Sequence, residues 1–477
     1  MATFPITQRW LYIASGIFLA VAGISIWMEF YYALLFPLAV VFLWAAFFRL
    51  EELMLFIVFC VPFSINLEEL ELGGVGMYLP TEPLMVGVLL IAIFKLLSGK
   101  SIDKRIFTHP VSYVVYAYLV WIALTCITSE YPLVSLKFLL AKLWFIVPFY
   151  FLATHIFRDE KKMRWFQILY LISLFGVVIY TVTRHAGYGF DKTSAHWVME
   201  PLFKDHTSYG AVLAMFFPVL VGLLVVKRMH LLLRVFLYIG FMILVTGIIF
   251  SYTRAAWLSI IGAGCVLALM LLKISLRTIV ASVVVVSAFL YIGWEDIQVG
   301  LEGNKQESSD RLEEHITSVS NVSSDASNLE RLNRWYCAME MFKERPVFGW
   351  GPGTYQFVYA PFQRAKDRTI ISTNQGDGGN AHSEYLGPLS EQGVPGMVIM
   401  IVLVLTVCSL AFRLFYTLRD SQMKILVASV FLGLMTYFIH GTLNNYLDTD
   451  KASVPFWGFI AMLVAVDLFH SKRSVTT

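Results

Sequence analysis

Mostly apolar runs, each near the ~20 residues that a helix needs to cross a bilayer, recur along this chain and leave room for one kind of fold. Candidate spans lie at 10–27, 31–48, 53–66, 83–97, 111–128, 138–155, 165–183, 207–226, 235–250, 255–272, 276–294, 394–416, 423–441 and 454–470. The third and fourth are short, and the connection ELELGGVGMYLP between them reads as a surface or re-entrant segment, so the expected number is twelve to fourteen. The 477 residues are 58% hydrophobic and 14% charged, with a mean hydropathy of +0.69. That balance excludes an ordinary water-soluble domain. The expected fold is all-α: a polytopic membrane helix bundle with one long, partly helical loop. A net charge of +3 gives no footprint for nucleic acid, and five scattered cysteines form neither a disulfide framework nor a zinc spacing. No aspartate cluster resembles a divalent metal site, and no metal or cofactor is expected. The first span has no small-residue cleavage site after it and is read as retained.

Lysine and arginine gather on the cytoplasmic loops of membrane proteins. If the N-terminus is cytoplasmic, most of the 36 basic residues fall on that side, and the short loops opposite hold only Lys137, Arg184, Lys192, Lys204, Arg254 and Lys451. Both termini are therefore expected inside, and the long connection 295–393 outside. This divides the chain into a bundle of about eleven spans at 1–294, the loop at 295–393, and three further spans with a cytoplasmic tail at 394–477. The first part of the loop, NKQESSDRLEEHITSVSNVSSDASN, reads as flexible or weakly helical. The second part spaces Leu332, Trp335, Met339 and Phe342 as a helix does, with Asn328 as its N-cap and Pro346 at its end.

This topology collects the unusual polar residues on the outer side. Arg254, in SYTRAAW, is either an interface anchor or the floor of an anion site. Arg184, in TRHAGYGF, and Lys204, Asp205 and His206 occupy another outer loop and read equally as solvated residues. Arg331 precedes Trp335 by four residues, so both lie on one helix face. FGWGPG reads as a turn. His382 caps or packs, or it serves as a general base, because its ordinary pKa lies near neutrality. Glu384 and Glu391 are two helical turns apart, too far for a carboxylate pair. Glu391 reads as a helix-surface residue, and Glu384 as a counter-charge or sugar contact. HGTLNNYLDTDKAS brings His440, Asn444, Asn445, Asp448 and Asp450 to one turn.

SYTRAAW, a long outer loop, RLNRWYCAMEMFKERPVFGWGPGTY and HSEYLGPLSEQGVPG, in that order over about residues 245–400, resemble the bacterial O-antigen ligase and O-antigen polymerase superfamily. The resemblance implies a metal-independent membrane glycosyltransferase of the inner membrane, facing the periplasm and acting in lipopolysaccharide biosynthesis. Its donor would be a glycan on undecaprenyl pyrophosphate. The acceptor would be a lipid A-core sugar for a ligase or a second lipid-linked repeat for a polymerase, with membrane lipids as the surroundings. His382 would take the acceptor proton. Arg254, Arg331 and Arg184 would hold the pyrophosphate, and Trp335, Glu384, His440 and Asn444 would serve the acceptor or support the site. Many relatives have asparagine after the histidine; this chain has Ser383. A lipid-linked glycan transporter is the reading from another class. Carriers need ionisable groups near the midplane, and the spans are almost free of charge apart from Lys142, expected within about two turns of the outer end of its helix.

Overall fold

The computed structural model describes residues 8–29, 36–67, 76–97, 102–226, 229–292, 326–364 and 379–471. It is a helix bundle in which β-structure among the described residues is one two-residue pairing, Ile65–Asn66 against Tyr78–Leu79. Helices are what a lipid-facing chain must form, because they satisfy every backbone polar group within the segment. Nine of the described helices are long and apolar enough to cross a membrane: Pro110–Ile127, Pro132–Ile156, Glu160–Ala186, His206–Val225, Leu231–Phe250, Arg254–Leu271, Leu386–Thr417, Ser421–His440 and Asp450–His470. The other five expected spans are also helical, over Gln8–Trp27, Phe36–Phe48, Leu50–Cys60, Thr81–Leu97 and Leu276–Ile292. Four of these are only 11 to 17 residues long, so the expectation of twelve to fourteen counts short helices along with full-length ones. Of the polar segment at 304–328, residues 304–325 lie outside the described residues, and 326–328 open the loop helix.

Asp450–His470 is apolar on all sides and is the most enclosed helix, at the centre of the bundle. His206–Val225 and Ser421–His440 pack backbone-close against each other, since a Cβ on Gly222 would meet Ser429 at 2.4 Å and one on Gly433 would meet Met215 O at 2.6 Å. Polar contacts mark two ends of the bundle. At one end Arg413 and His109 converge on Asp467 at 2.8 and 3.2 Å, Lys162 meets Glu51, and His470 bonds Phe157 O. At the other end Ser64 and Thr81 each donate to Asp450 at 2.6 Å, and the long loop returns there.

The loop helix spans Ala326–Glu344, so Asn328 lies inside it rather than capping it. Its buried face is Glu330, Asn333, Arg334, Cys337, Ala338 and Met341, rotated from the expected apolar spacing; Met339 is exposed. The rotation has a cause. Arg334 Nε donates to Glu330 Oε1 at 2.7 Å and the guanidinium lies 4.1 Å from the Tyr359 ring, so a paired cation occupies a place that an apolar side chain was expected to fill.

After Glu344 the chain crosses the mouth of the bundle and lies on the next helix backbone to backbone. Trp350 N–H donates to Ser390 O, Gly351 N–H to Glu391 O, and Val394 N–H to Pro346 O. A short helix from Leu386 runs into the expected span at 394, and the two meet at a sharp kink at Gly393 (φ 69°), where the backbone leaves the helical conformation. A Cβ on Gly393 would stand 2.1 Å from Val347 O, and one on Gly349 (φ 65°) would stand 2.2 Å from the Glu391 carbonyl carbon. Only glycine permits both the left-handed backbone and the approach.

Candidate active site

A cavity of about 570 Å³ opens between the helices at the loop-bearing end. Its walls come from distant parts of the chain: Phe203, Lys204, Asp205 and Ser208, Tyr355, Gly379–Glu384, Glu391, the turn from Asn445 to Thr449 with Lys451 beyond it, and Tyr118 and Lys142 from two membrane-length helices. Lys142 was expected near its helix end. The helix begins at Pro132, which places Lys142 about 15 Å along it at 1.5 Å per residue, so the cavity descends well below the helix ends.

His382 stands on this wall in the left-handed conformation, with φ 48°. Two contacts hold it there. Its N–H donates to Asn380 Oδ1 at 3.0 Å, and Trp335 Nε1–H donates to its carbonyl at 3.3 Å. Burial, followed by the positive charges of Arg331 and Arg334, pushes the pKa of the ring down to about 4. The imidazole is therefore neutral near pH 7 and able to accept a proton. Asp205 acts on the ring with opposite sign. It caps the helix His206–Val225 through the N–H groups of Thr207 and Ser208 at 2.9 and 2.7 Å. Although burial opposes its charge, the Thr207 hydroxyl, His206 and Ser208 hold its pKa below the ordinary value.

Glu384 is a clasp. Its Oε1 accepts from Tyr437 OH at 2.5 Å, Tyr446 N–H at 2.8 Å and Leu447 N–H at 3.0 Å, and its own N–H donates to Gly441 O at 2.7 Å. Burial first, and then the Asp448 carboxylate, raise its pKa against the opposing Lys142 charge and these donors. Lys142 grips the same turn from the other side, donating to Leu447 O at 2.7 Å and pairing with Asp448 at 3.3 Å. The turn carries Asn445, Tyr446, Asp448 and Thr449 on the cavity wall. Ser383 supports the neighbouring helix start, its hydroxyl 3.3 Å from the N–H groups of both Tyr385 and Leu386.

The remaining expected site residues are placed as follows. Arg331 acts on His382, His440 and Tyr446. Arg254 is the first residue of its helix, next to Thr253, whose hydroxyl bonds the carbonyl of His206, the residue after Asp205, at 2.8 Å. His440 is buried against Asn444 at 3.1 Å, behind the wall. Arg184 is elsewhere. Its guanidinium donates to Tyr180 OH and to the carbonyls of Val198 and Glu200 and lies over the Trp197 ring, so it pins its own loop. Glu391, expected on a helix surface, is buried and accepts from Tyr355 N–H at 2.9 Å. Sequence reasoning passed over Arg334, Lys451 and the role of Lys142. The signal for Lys142 was present, since it is a lysine inside an otherwise apolar expected span.

A polar, charged cavity sunk among membrane-length helices, with a neutral histidine on its wall, defines the class as a multi-pass membrane protein with an enzyme-like site. Residues 239–401 match the model of the O-antigen ligase family, which supports the resemblance to the O-antigen ligase and polymerase superfamily over that part of the chain. The match takes in Arg254, the loop helix, the glycine turn and His382. A comparison with curated proteins gave no match.

Proposed function

We propose that this chain is a glycosyltransferase of the O-antigen ligase kind, which moves a glycan from undecaprenyl pyrophosphate to a lipid A-core sugar at the periplasmic face of the bacterial inner membrane. The observation that carries this reading is the position of His382. It lies within the family-matched region, on the wall of a polar cavity, with two arginines acting on its ring. In the proposed step the acceptor hydroxyl gives its proton to His382 and its oxygen attacks the anomeric carbon. The bond from that carbon to the pyrophosphate oxygen breaks, and the electron pair leaves with the pyrophosphate. Arg254 and Arg331 stabilise the departing charge, so the step needs no metal. Bound pyrophosphate also offsets the arginine charge that depresses His382, so the base strengthens when the donor is in place. Arg184 has no part in this proposal.

A lysine cannot reproduce the forked geometry of arginine. Arg331→Lys and Arg254→Lys are each expected to weaken donor binding roughly 10- to 100-fold, while chelation leaves the wild-type rate unchanged. Full donor affinity in Arg254→Lys, or a rate lost in EDTA and restored by a divalent ion, counts against the arginine role. Orientation is checked with reporter tags: the termini and Gly99 should report from the cytoplasm, and Ser324 and Thr449 from the periplasm. A cytoplasmic report from Ser324 defeats the scheme. Ligase and polymerase differ in their acceptor, and the glycan profile of a deletion strain separates them. Loss of all capped core indicates a ligase; capping by a single repeat indicates a polymerase.

A further inference from the structure

The segment that crosses the mouth of the bundle after the loop helix carries two large apolar side chains that the protein leaves uncovered: Val347 is 52% exposed and Phe348 45%. Two contacts fix the depth at which they stand. The Phe348 ring stacks on Trp121, with centroids 5.7 Å apart and planes 12° from parallel. Trp121 belongs to Pro110–Ile127, a helix of 18 residues, which is about 27 Å long at 1.5 Å per residue and so close to the ~30 Å of a hydrocarbon core. Trp121 precedes Ile127 by six residues, so Phe348 meets that helix about 9 Å inside its loop-bearing end. On the other side Val394 N–H donates to Pro346 O at 2.9 Å, which sets Pro346 and Val347 level with the first residue of the span expected at 394. Leu124, one turn on from Trp121, and Val394 and Val398 on the other helix are exposed in the same way, so the pair continues an apolar surface that both helices already turn to lipid.

The polar groups flanking the pair lie beyond the helix end. Arg345 Nη2 donates to Glu130 at 2.7 Å, and its guanidinium lies 3.8 Å from the centre of the Trp350 ring. Tryptophan and arginine are typical of the headgroup level. Irregular backbone is tolerated at membrane depth only where protein satisfies it, and this stretch is bonded: Gly349 N–H donates to Arg345 O and Trp350 N–H to Ser390 O, both at 3.1 Å, Pro346 O accepts from Val394, and Pro346 has no N–H to satisfy.

We propose that Pro346–Gly349 is a re-entrant wedge, with the Val347 and Phe348 side chains seated among phospholipid acyl chains of the leaflet on the loop-bearing side and Arg345 and Trp350 at headgroup level above them. The loop is thereby held to the bilayer as well as to the bundle, whether or not the cavity transfers a glycan.

The test uses the full-length protein in vesicles of phosphatidylethanolamine and phosphatidylglycerol, with Cys126 and Cys265 replaced by alanine; Cys60, Cys337 and Cys408 are buried. A nitroxide is attached at Val347→Cys, an exposed position, and in a second sample at Lys343→Cys on the exposed side of the loop helix. At 347 the label should collide more with oxygen, which partitions into hydrocarbon, than with a water-soluble nickel chelate, and should report a depth of about 5–10 Å past the headgroup boundary. At 343 the order should reverse. Adding Phe348→Asp to Val347→Cys should raise the nickel collisions several-fold, since a carboxylate resists acyl surroundings. Preferential access of nickel at 347, equal accessibilities at 347 and 343, or a label that Phe348→Asp does not move overturns the proposal. A label at 347 shielded from both reagents also overturns it, because protein and not lipid would then cover the pair.

Discussion

His382→Ala protein is expected to transfer glycan about 10²- to 10⁴-fold more slowly than wild type, the usual contribution of a positioned base, with its unfolding temperature and donor affinity nearly unchanged. The backbone of residue 382 is held by Asn380 and Trp335 rather than by the ring, so removing the imidazole should leave the wall standing. The pH dependence gives a second readout. The pKa of the ring is lowered to about 4, so it is charged only below that value, and kcat/KM should fall only as the pH drops through about 4. Bound pyrophosphate offsets Arg331, so the acid limb of kcat should lie at higher pH than that of kcat/KM, and Arg331→Gln should move the kcat/KM limb upward. Transfer by His382→Ala at a near wild-type rate would return the histidine to a packing role. An acid limb of kcat/KM at the ordinary histidine value of about 6.5 would show that the ring is not the group placed here.

Glu384→Ala should have the largest effect on stability. It leaves the N–H groups of Tyr446 and Leu447 and the hydroxyl of Tyr437 without the oxygen that all three share. A buried donor without an acceptor costs about 1–3 kcal/mol, so the loss should be roughly 3–5 kcal/mol, the range for breaking a buried charged network. It should be read as a clear fall in the unfolding temperature in detergent, accompanied by loss of transfer. Glu384→Gln keeps an accepting oxygen and should restore most of the unfolding temperature. That rescue separates a clasp from a residue that works on substrate by its charge. An unchanged unfolding temperature in Glu384→Ala would remove the clasp from the account.

The spans were legible because a run of apolar residues in lipid has a single backbone solution, and a helix stands at each of the fourteen places read from hydropathy. The loop helix was legible in extent but not in facing. Apolar spacing chose Leu332 and Met339, whereas the buried face is organised by the Glu330–Arg334 pair and the Tyr359 ring, whose position depends on a fold-back beyond the helix. Glu391 was misplaced for a similar reason, since its partner Tyr355 precedes it by 36 residues. The break at Gly393 between two helices depends likewise on distant chain, because the Pro346–Gly351 backbone supplies hydrogen bonds at the kink. The motif residues were found by their order along the chain. The wall facing them, Lys142, Asp205 and Lys451, has no local motif, because a lysine inside an apolar helix looks the same whether it lines a cavity or anchors a turn.

The grip on Leu447 has an electrostatic consequence. Leu447 directs its carbonyl at an ammonium and its N–H at a carboxylate, so Lys142 and Glu384 act on the cavity as a dipole and not as two separate charges. A dipole's field fades faster with distance than a monopole's, which lets the bundle hold two buried ions near His382 with little effect on its proton affinity. Neutralising one of them alone unbalances this field: Lys142→Met, which leaves Glu384 and Asp448 without their cation, should make His382 a stronger base, and Glu384→Gln, which leaves Lys142 paired with Asp448, should make it only slightly weaker. Evolution can therefore change the pair together at small cost to the chemistry, but either member singly only by retuning the base.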